Sequence, residues 1–157
     1  MSAEALLAAA KAKGAMLATA ESCTGGMVSA AITDIAGSSA VFDRGFVTYT
    51  NAAKTQMLGV QTATLDAHGA VSEEVAREMA AGARDNSAAD IAVAITGIAG
   101  PGGSEHKPEG RVCFGLATAA GVTTETVEFG ALGRAQVRLA ARDHALMLLL
   151  GAVEAQV

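Results

Sequence analysis

Two rhythms of hydrophobic and polar positions alternate along this chain. One is the short, unbroken apolar run, clearest in Ile91-Ala-Val-Ala-Ile95 and in Ala15-Met-Leu-Ala-Thr-Ala20. A strand with no polar face is covered on both sides, so these runs predict buried strands in a sheet flanked by helices. Three more segments, 44–50, 111–117 and 123–129, are β-branched or aromatic and read as further strands. The last two are separated by Ala119-Ala-Gly and predict an antiparallel hairpin.

The other rhythm is helical. Residues 2–13 are rich in alanine and leucine, with Ser2 as the expected cap and Gly14 as the stop. Met27, Val28, Ile32 and Ile35 recur at helical spacing from Gly26 onwards, and Gly37 ends the segment. Asn51 is expected to cap a helix carrying Lys54 and Leu58. Ser72 before Glu73 and Glu74 predicts a helix start, because the hydroxyl accepts from orphan N–H groups and the carboxylates face the positive dipole end. A long helix over about 134–153 should bury Val137, Ala141, Ala145 and Leu148 on one face. Strands alternating with helices and followed by a hairpin predict an α/β protein. The expected architecture is a three-layer α/β/α sandwich around a mixed, mostly parallel sheet of about five strands. No linker or repeat interrupts the order, so residues 1–157 form a single expected domain.

Composition narrows the classes of function. The formal net charge of −5 opposes binding to nucleic acid through the overall field. Glu4, Lys11 and Lys13 break up the apolar N-terminal stretch, and Leu146–Leu150 is too short to span a bilayer, so no membrane association is expected. Two cysteines, Cys23 and Cys113, are too few for a disulfide framework and fit a reducing, cytoplasmic compartment. His68, His106 and His144 stand far apart without nearby metal-ligand spacing, so no metal is expected.

The candidate chemistry sits where strands empty into glycine. After Ile95 the chain reads Thr96-Gly-Ile-Ala-Gly-Pro-Gly-Gly-Ser104, a loop whose backbone N–H groups could converge on an anion. It is neither a Walker A loop nor a dinucleotide fingerprint, because its glycine spacing fits neither. Ala20-Glu-Ser-Cys-Thr-Gly-Gly26 forms a second such junction, and its Gly-Gly helix start offers an anion site through the helix dipole. Arg44 and Arg134 could supply charge to either loop. Ser22, Ser38, Ser39 and Lys54 are the groups from which a serine–lysine hydrolase could be built, since a lysine desolvated towards neutrality can take a proton from a serine hydroxyl. Tyr49 could orient that lysine or relay a proton. Cys23 beside the Gly-Gly helix start reads as a small buried residue. Ser104-Glu-His-Lys107 matches a penicillin-enzyme pattern only by spacing, because glycine and proline hold it in a loop.

Five blocks in order, Ala20–Gly26, Asp34–Phe42, Arg44–Asn51, His68–Ser72 and Thr96–Gly103, closely resemble the CinA C-terminal domain family across nearly the whole chain. The resemblance implies hydrolysis of the carboxamide of nicotinamide mononucleotide to nicotinic acid mononucleotide and ammonia, by a homodimer or higher homo-oligomer that needs no cofactor. It places the active site on Ser22, Ser39, Tyr49, Lys54, Thr96 and Arg134. Ser39 is the expected nucleophile, Lys54 its base and Tyr49 an assistant, with Ser22 as the alternative nucleophile. Substrate-binding positions are expected at Thr24, Gly25, Thr96, Gly97, Gly100, Gly102 and Arg134. The family name also implies an alternative, a non-catalytic nucleotide-binding module linked to competence or DNA damage. The stretch Pro108-Glu-Gly-Arg-Val112 departs from the family's usual Pro-Val-Gly-Thr-Val.

Overall fold

The apolar runs pair into one five-stranded sheet in a computed structural model that describes residues 2–156, the Ser2 side chain excepted. The elements, in chain order, are helix α1 (Ser2–Lys13), strand β1 (Leu17–Glu21), α2 (Met27–Thr33), a 3₁₀ turn at Ser38–Ala40, β2 (Phe42–Val47), α3 (Asn51–Leu58), α4 (Thr62–His68), α5 (Glu73–Asp85), β3 (Ile91–Gly97), β4 (Arg111–Thr118), β5 (Gly121–Glu128) and α6 (Arg134–Ala155). The sheet order is β2-β1-β3-β4-β5. β1 pairs in parallel with both β2 and β3, and the β3-β4 and β4-β5 pairs are antiparallel, so the mixed sheet divides its pairings evenly.

Strand alternation distributes side chains of unequal size to the two faces. Ile91, Val93 and Ile95 of β3 join Leu6, Val137 and Leu149 in the core beneath α1 and α6. Ala92 and Ala94 point the other way, into the core with Val75, Met79 and Ala80 of α5. The small residues let α5 sit close to the sheet. At Gly115 of β4 a Cβ would stand 2.3 Å from the Ala76 carbonyl oxygen, and at Gly82 of α5 it would stand 2.0 Å from that of Leu58. The alanines of β1, β3 and α5 are thus a packing device for this face of the sheet.

Several local expectations hold and others shift. Ser72 caps α5, its Oγ accepting from the Val75 N–H at 3.2 Å. Thr50, not Asn51, caps α3, its hydroxyl accepting from the Ala53 N–H at 3.1 Å; Asn51 is already the first helical residue. On α6, Val137, Ala141 and Ala145 are buried as expected, but Leu149 rather than Leu148 continues the stripe. The expected cap would be made by the Ser2 side chain, which lies outside what the structure describes.

The order of strands fixes where a ligand can sit. The chain leaves β1 through α2 to β2 on one side, whereas β3, reached through α5, joins β1 on the other. Connections that depart in opposite directions open a crevice at the carboxyl ends of β1 and β3, the usual ligand position of open α/β sheets.

Candidate active site

Three strand ends converge on that crevice. Ser22 follows β1, Thr48 and Tyr49 follow β2, and Thr96 and Gly97 close β3. Ser22, Tyr49, Thr96 and Gly97 line a cavity of about 330 Å³ together with Cys23, Asn51, Lys54, Arg134 and the glycine loop from Ile98 to Ser104. The volume suits a small ligand.

Lys54 lies one turn into α3 and is 1% exposed. Its Nζ donates to the carbonyl oxygens of Thr48 at 2.9 Å and Tyr49 at 3.2 Å, and stands 2.9 Å from Ser22 Oγ. Burial lowers its pKa to about 8, because the charged form loses its hydration. In the neutral amine, two N–H bonds remain on the two carbonyls, and the lone pair takes the third direction, towards the Ser22 hydroxyl. Capping of α3 by Thr50 and the Thr48 N–H bond to the Glu21 carbonyl hold this arrangement.

Ser39 is not part of it. It lies exposed in the 3₁₀ turn before β2, level with the start of β1, where Leu17 pairs with Phe42. Five strand residues, roughly 17 Å at about 3.3 Å each, separate that level from the Lys54 end. The expected pairing of Ser39 with Lys54 is therefore replaced by that of Ser22 with Lys54. Order along the chain already held the signal: Ser22 and Thr96 follow or close their strands, whereas Ser38 and Ser39 precede theirs. Arg44 lies on β2 and bonds to Asp43 and to the Asn86 carbonyl, away from the cavity.

Tyr49 contributes to the lysine through its carbonyl rather than its ring. The phenol is 59% exposed at the mouth, and its oxygen accepts from Arg134 Nη2 at 2.9 Å. Arg134 also donates Nη1 to the Gly100 carbonyl, tying the first residue of α6 to the glycine loop. Thr96 lines the cavity, but its hydroxyl donates to the Ala70 carbonyl at 2.8 Å, so its proton serves the wall. In the loop, Glu109 accepts from the N–H groups of Gly102 at 2.7 Å and Gly133 at 3.0 Å. The N–H groups of Ala99, Gly100 and Gly103 have no partner among the described residues. Glu109 falls in the stretch that departs from the family pattern, and its carboxylate fastens the loop to the start of α6.

Thr24 and Gly25 stand outside the cavity lining. The helix start beside them holds no external anion because Glu21, fully buried, already occupies it. Its carboxylate accepts from the N–H groups of Gly26, Val28 and Ser29 and from the Ser29 hydroxyl, at 2.8–3.2 Å. Cys23 is no nucleophile, since burial raises its thiol pKa to about 11. Reading by sequence missed Glu21, Glu109 and Arg138. A carboxylate five residues before a Gly-Gly helix start was the signal for the first, and a second arginine four residues after Arg134 on one helix face was the signal for the last.

Comparison with known proteins identifies the family. The sequence model described as CinA C-terminal domain matches residues 1–153. The chain is 58% identical over 140 residues to the nicotinamide-nucleotide amidohydrolase PncC of Escherichia coli (strain K12), covering 88% of this chain and 85% of that protein. It is 55% identical over 145 residues to PncC of Enterobacter agglomerans, covering 91% and 88%. Among solved structures, the competence/damage inducible protein CihA from Agrobacterium tumefaciens superposes with a TM-score of 0.93 at 50% identity, over 98% of this chain and 93% of that one. The competence damage-inducible protein A (ComA) from Klebsiella pneumoniae subsp. pneumoniae MGH 78578 gives 0.95 at 36% identity, over 99% and 97%.

Proposed function

Because the chain belongs to the CinA C-terminal domain family, we propose that it is a nicotinamide mononucleotide amidohydrolase working through Ser22 and Lys54. The observation that carries the chemistry is the buried amine of Lys54, 2.9 Å from Ser22 Oγ and facing a cavity sized for a small ligand. Neutral Lys54 takes the Ser22 proton as Oγ attacks the carboxamide carbon, giving a tetrahedral oxyanion that N–H donors at the cavity wall stabilise. The Lys54 ammonium then returns a proton to the departing nitrogen, which leaves as ammonia, and an ester remains on Ser22. Water gives a proton to Lys54 and attacks that ester, releasing the nicotinic acid mononucleotide carboxylate and restoring the hydroxyl. Arg134 and the free N–H groups of the glycine loop lie at the mouth and suit the substrate phosphate.

No step calls on a cofactor. The buried free cysteines support a cytoplasmic enzyme, and the negative charge supports one with no nucleic-acid partner. Among the described residues, no helix is long and apolar enough to cross a membrane. A homodimer or higher homo-oligomer completes the reading, and light scattering on the purified protein tests it. For the reaction, the decisive assay is ammonia release from nicotinamide mononucleotide without added metal. Ser22→Ala and Lys54→Ala should each lower turnover by at least about 10³-fold, while Ser39→Ala keeps its kcat within about threefold. Stabilisation by the nucleotide without ammonia would instead favour a binding module.

A further inference from the structure

The turn that carries Ser22 is gripped from both sides by side chains that never reach the cavity. On one side the Glu21 carboxylate collects the N–H groups at the start of α2. On the other, Arg138 reaches from the second turn of α6. Its Nε donates to the Cys23 carbonyl at 2.9 Å and its Nη2 to the Thr24 carbonyl at 3.3 Å. Gly25 between them has φ +55°, and a Cβ there would stand 3.3 Å from Arg138 Nη2, so the guanidinium lies directly on the bare face of the glycine.

Those bonds have a directional consequence. A trans peptide is planar, with its C=O and N–H on opposite sides, so fixing a carbonyl fixes the next N–H. The Ser22 carbonyl accepts from the Gly25 N–H at 3.0 Å, which turns the following Cys23 N–H out of the turn. Among the described residues that N–H meets only the sulfur of its own side chain, and Cys23 lines the cavity beside Ser22. It is the first donor after the nucleophile, the position from which nucleophile turns elsewhere stabilise an oxyanion. Arg138 holds the next two peptide planes and keeps the turn from rotating.

We infer that Arg138 is a positioning residue for the hydrolysis: through the Cys23 and Thr24 carbonyls it aims the Ser22 hydroxyl and the Cys23 N–H at the reacting carbonyl. The inference rests on Ser22 being the nucleophile. It also divides the labour along α6, whose Arg134 meets the glycine loop while Arg138, one turn on, sets the nucleophile turn. A fork with two directed donors is required, which a lysine cannot replace.

The test compares Arg138→Ala, Arg138→Lys and Arg138→Gln with wild type, and with Arg142→Ala as a control on the same helix. Two rates are measured: ammonia release from nicotinamide mononucleotide, and phosphonylation of Ser22 by a fluorophosphonate, followed by mass spectrometry. Arg138→Ala should lower kcat by about 10²-fold, the scale of a misplaced catalytic group, with KM within about threefold and Ser22 phosphonylation slowed in parallel. Millimolar guanidinium should restore at least tenfold of the lost rate where sodium at equal ionic strength restores none, a response that mere destabilisation of the fold does not give. Arg138→Lys should remain slow and Arg142→Ala should match wild type. Wild-type kcat and phosphonylation in Arg138→Ala overturn the inference, and if that variant does not fold, wild-type rates in Arg138→Gln do so. If wild type is phosphonylated on Ser22 but releases no ammonia, the substrate is wrong, and the phosphonylation rates alone decide the role of Arg138.

Discussion

Lys54 is an expensive residue to bury, and the way it is accommodated tells what it is for. Its Nζ meets two carbonyls and one hydroxyl with no carboxylate bonded to it, so nothing in direct contact favours the charged form strongly enough to offset the lost hydration. A carboxylate partner would have locked the amine as an ammonium, useless as a base. The pH dependence follows in sign: the active form is the neutral amine, which gains population as pH rises through about 8. We expect kcat/KM for ammonia release to climb between pH 6.5 and 8.5 and level above that, with the limb lost in Lys54→Ala. A profile that falls over the same interval would rule out the neutral lysine as base.

Elements are positioned by what small residues allow. The close seat of α5 on β4 depends on Gly115, where an added methyl would meet the Ala76 carbonyl rather than a side chain that can swing away. Gly115→Ala should cost about 1–3 kcal/mol, and calorimetry should show a fall of roughly 2–4 °C in Tm per kcal/mol for a chain of this size. An unchanged Tm would mean that α5 can retreat freely. At this scale most of the fold was legible, because Gly14 and Ser72 mark helix ends chemically and the Ile91 run marks a strand buried on both faces, whereas α2 already stops at Thr33 and Gly37 instead begins the 3₁₀ turn. α4 was not: its seven residues bury only Leu65 and carry no stripe to detect. The change of cap from Asn51 to Thr50 was equally hidden, since adjacent Thr and Asn are both good caps and only the backbone angle of Thr50 separates them.

Across the whole molecule, the crevice at the switch between β1 and β3 brings together segments some hundred residues apart, from Ser22 to Arg134. Its two ends have different tasks in the proposed reaction, with the dyad at the floor and Arg134 at the mouth. Arg134→Ala should raise KM for nicotinamide mononucleotide by about 10-fold or more, the equivalent of one charged hydrogen bond at about 1.5–3 kcal/mol, while leaving KM for the riboside without phosphate near wild type. Equal losses on both substrates would place the phosphate elsewhere. The sequence by itself determined the layers, the strands, the two glycine junctions and the set of residues from which the site is drawn, because apolar period, caps and glycine act locally. Only the tertiary structure decided which serine meets Lys54, that Glu21 already fills the α2 start, and that the proton of Thr96 serves Ala70. Those outcomes depend on strand direction, register and helix docking, which bring distant side chains to within 3 Å or leave them at opposite ends of the sheet.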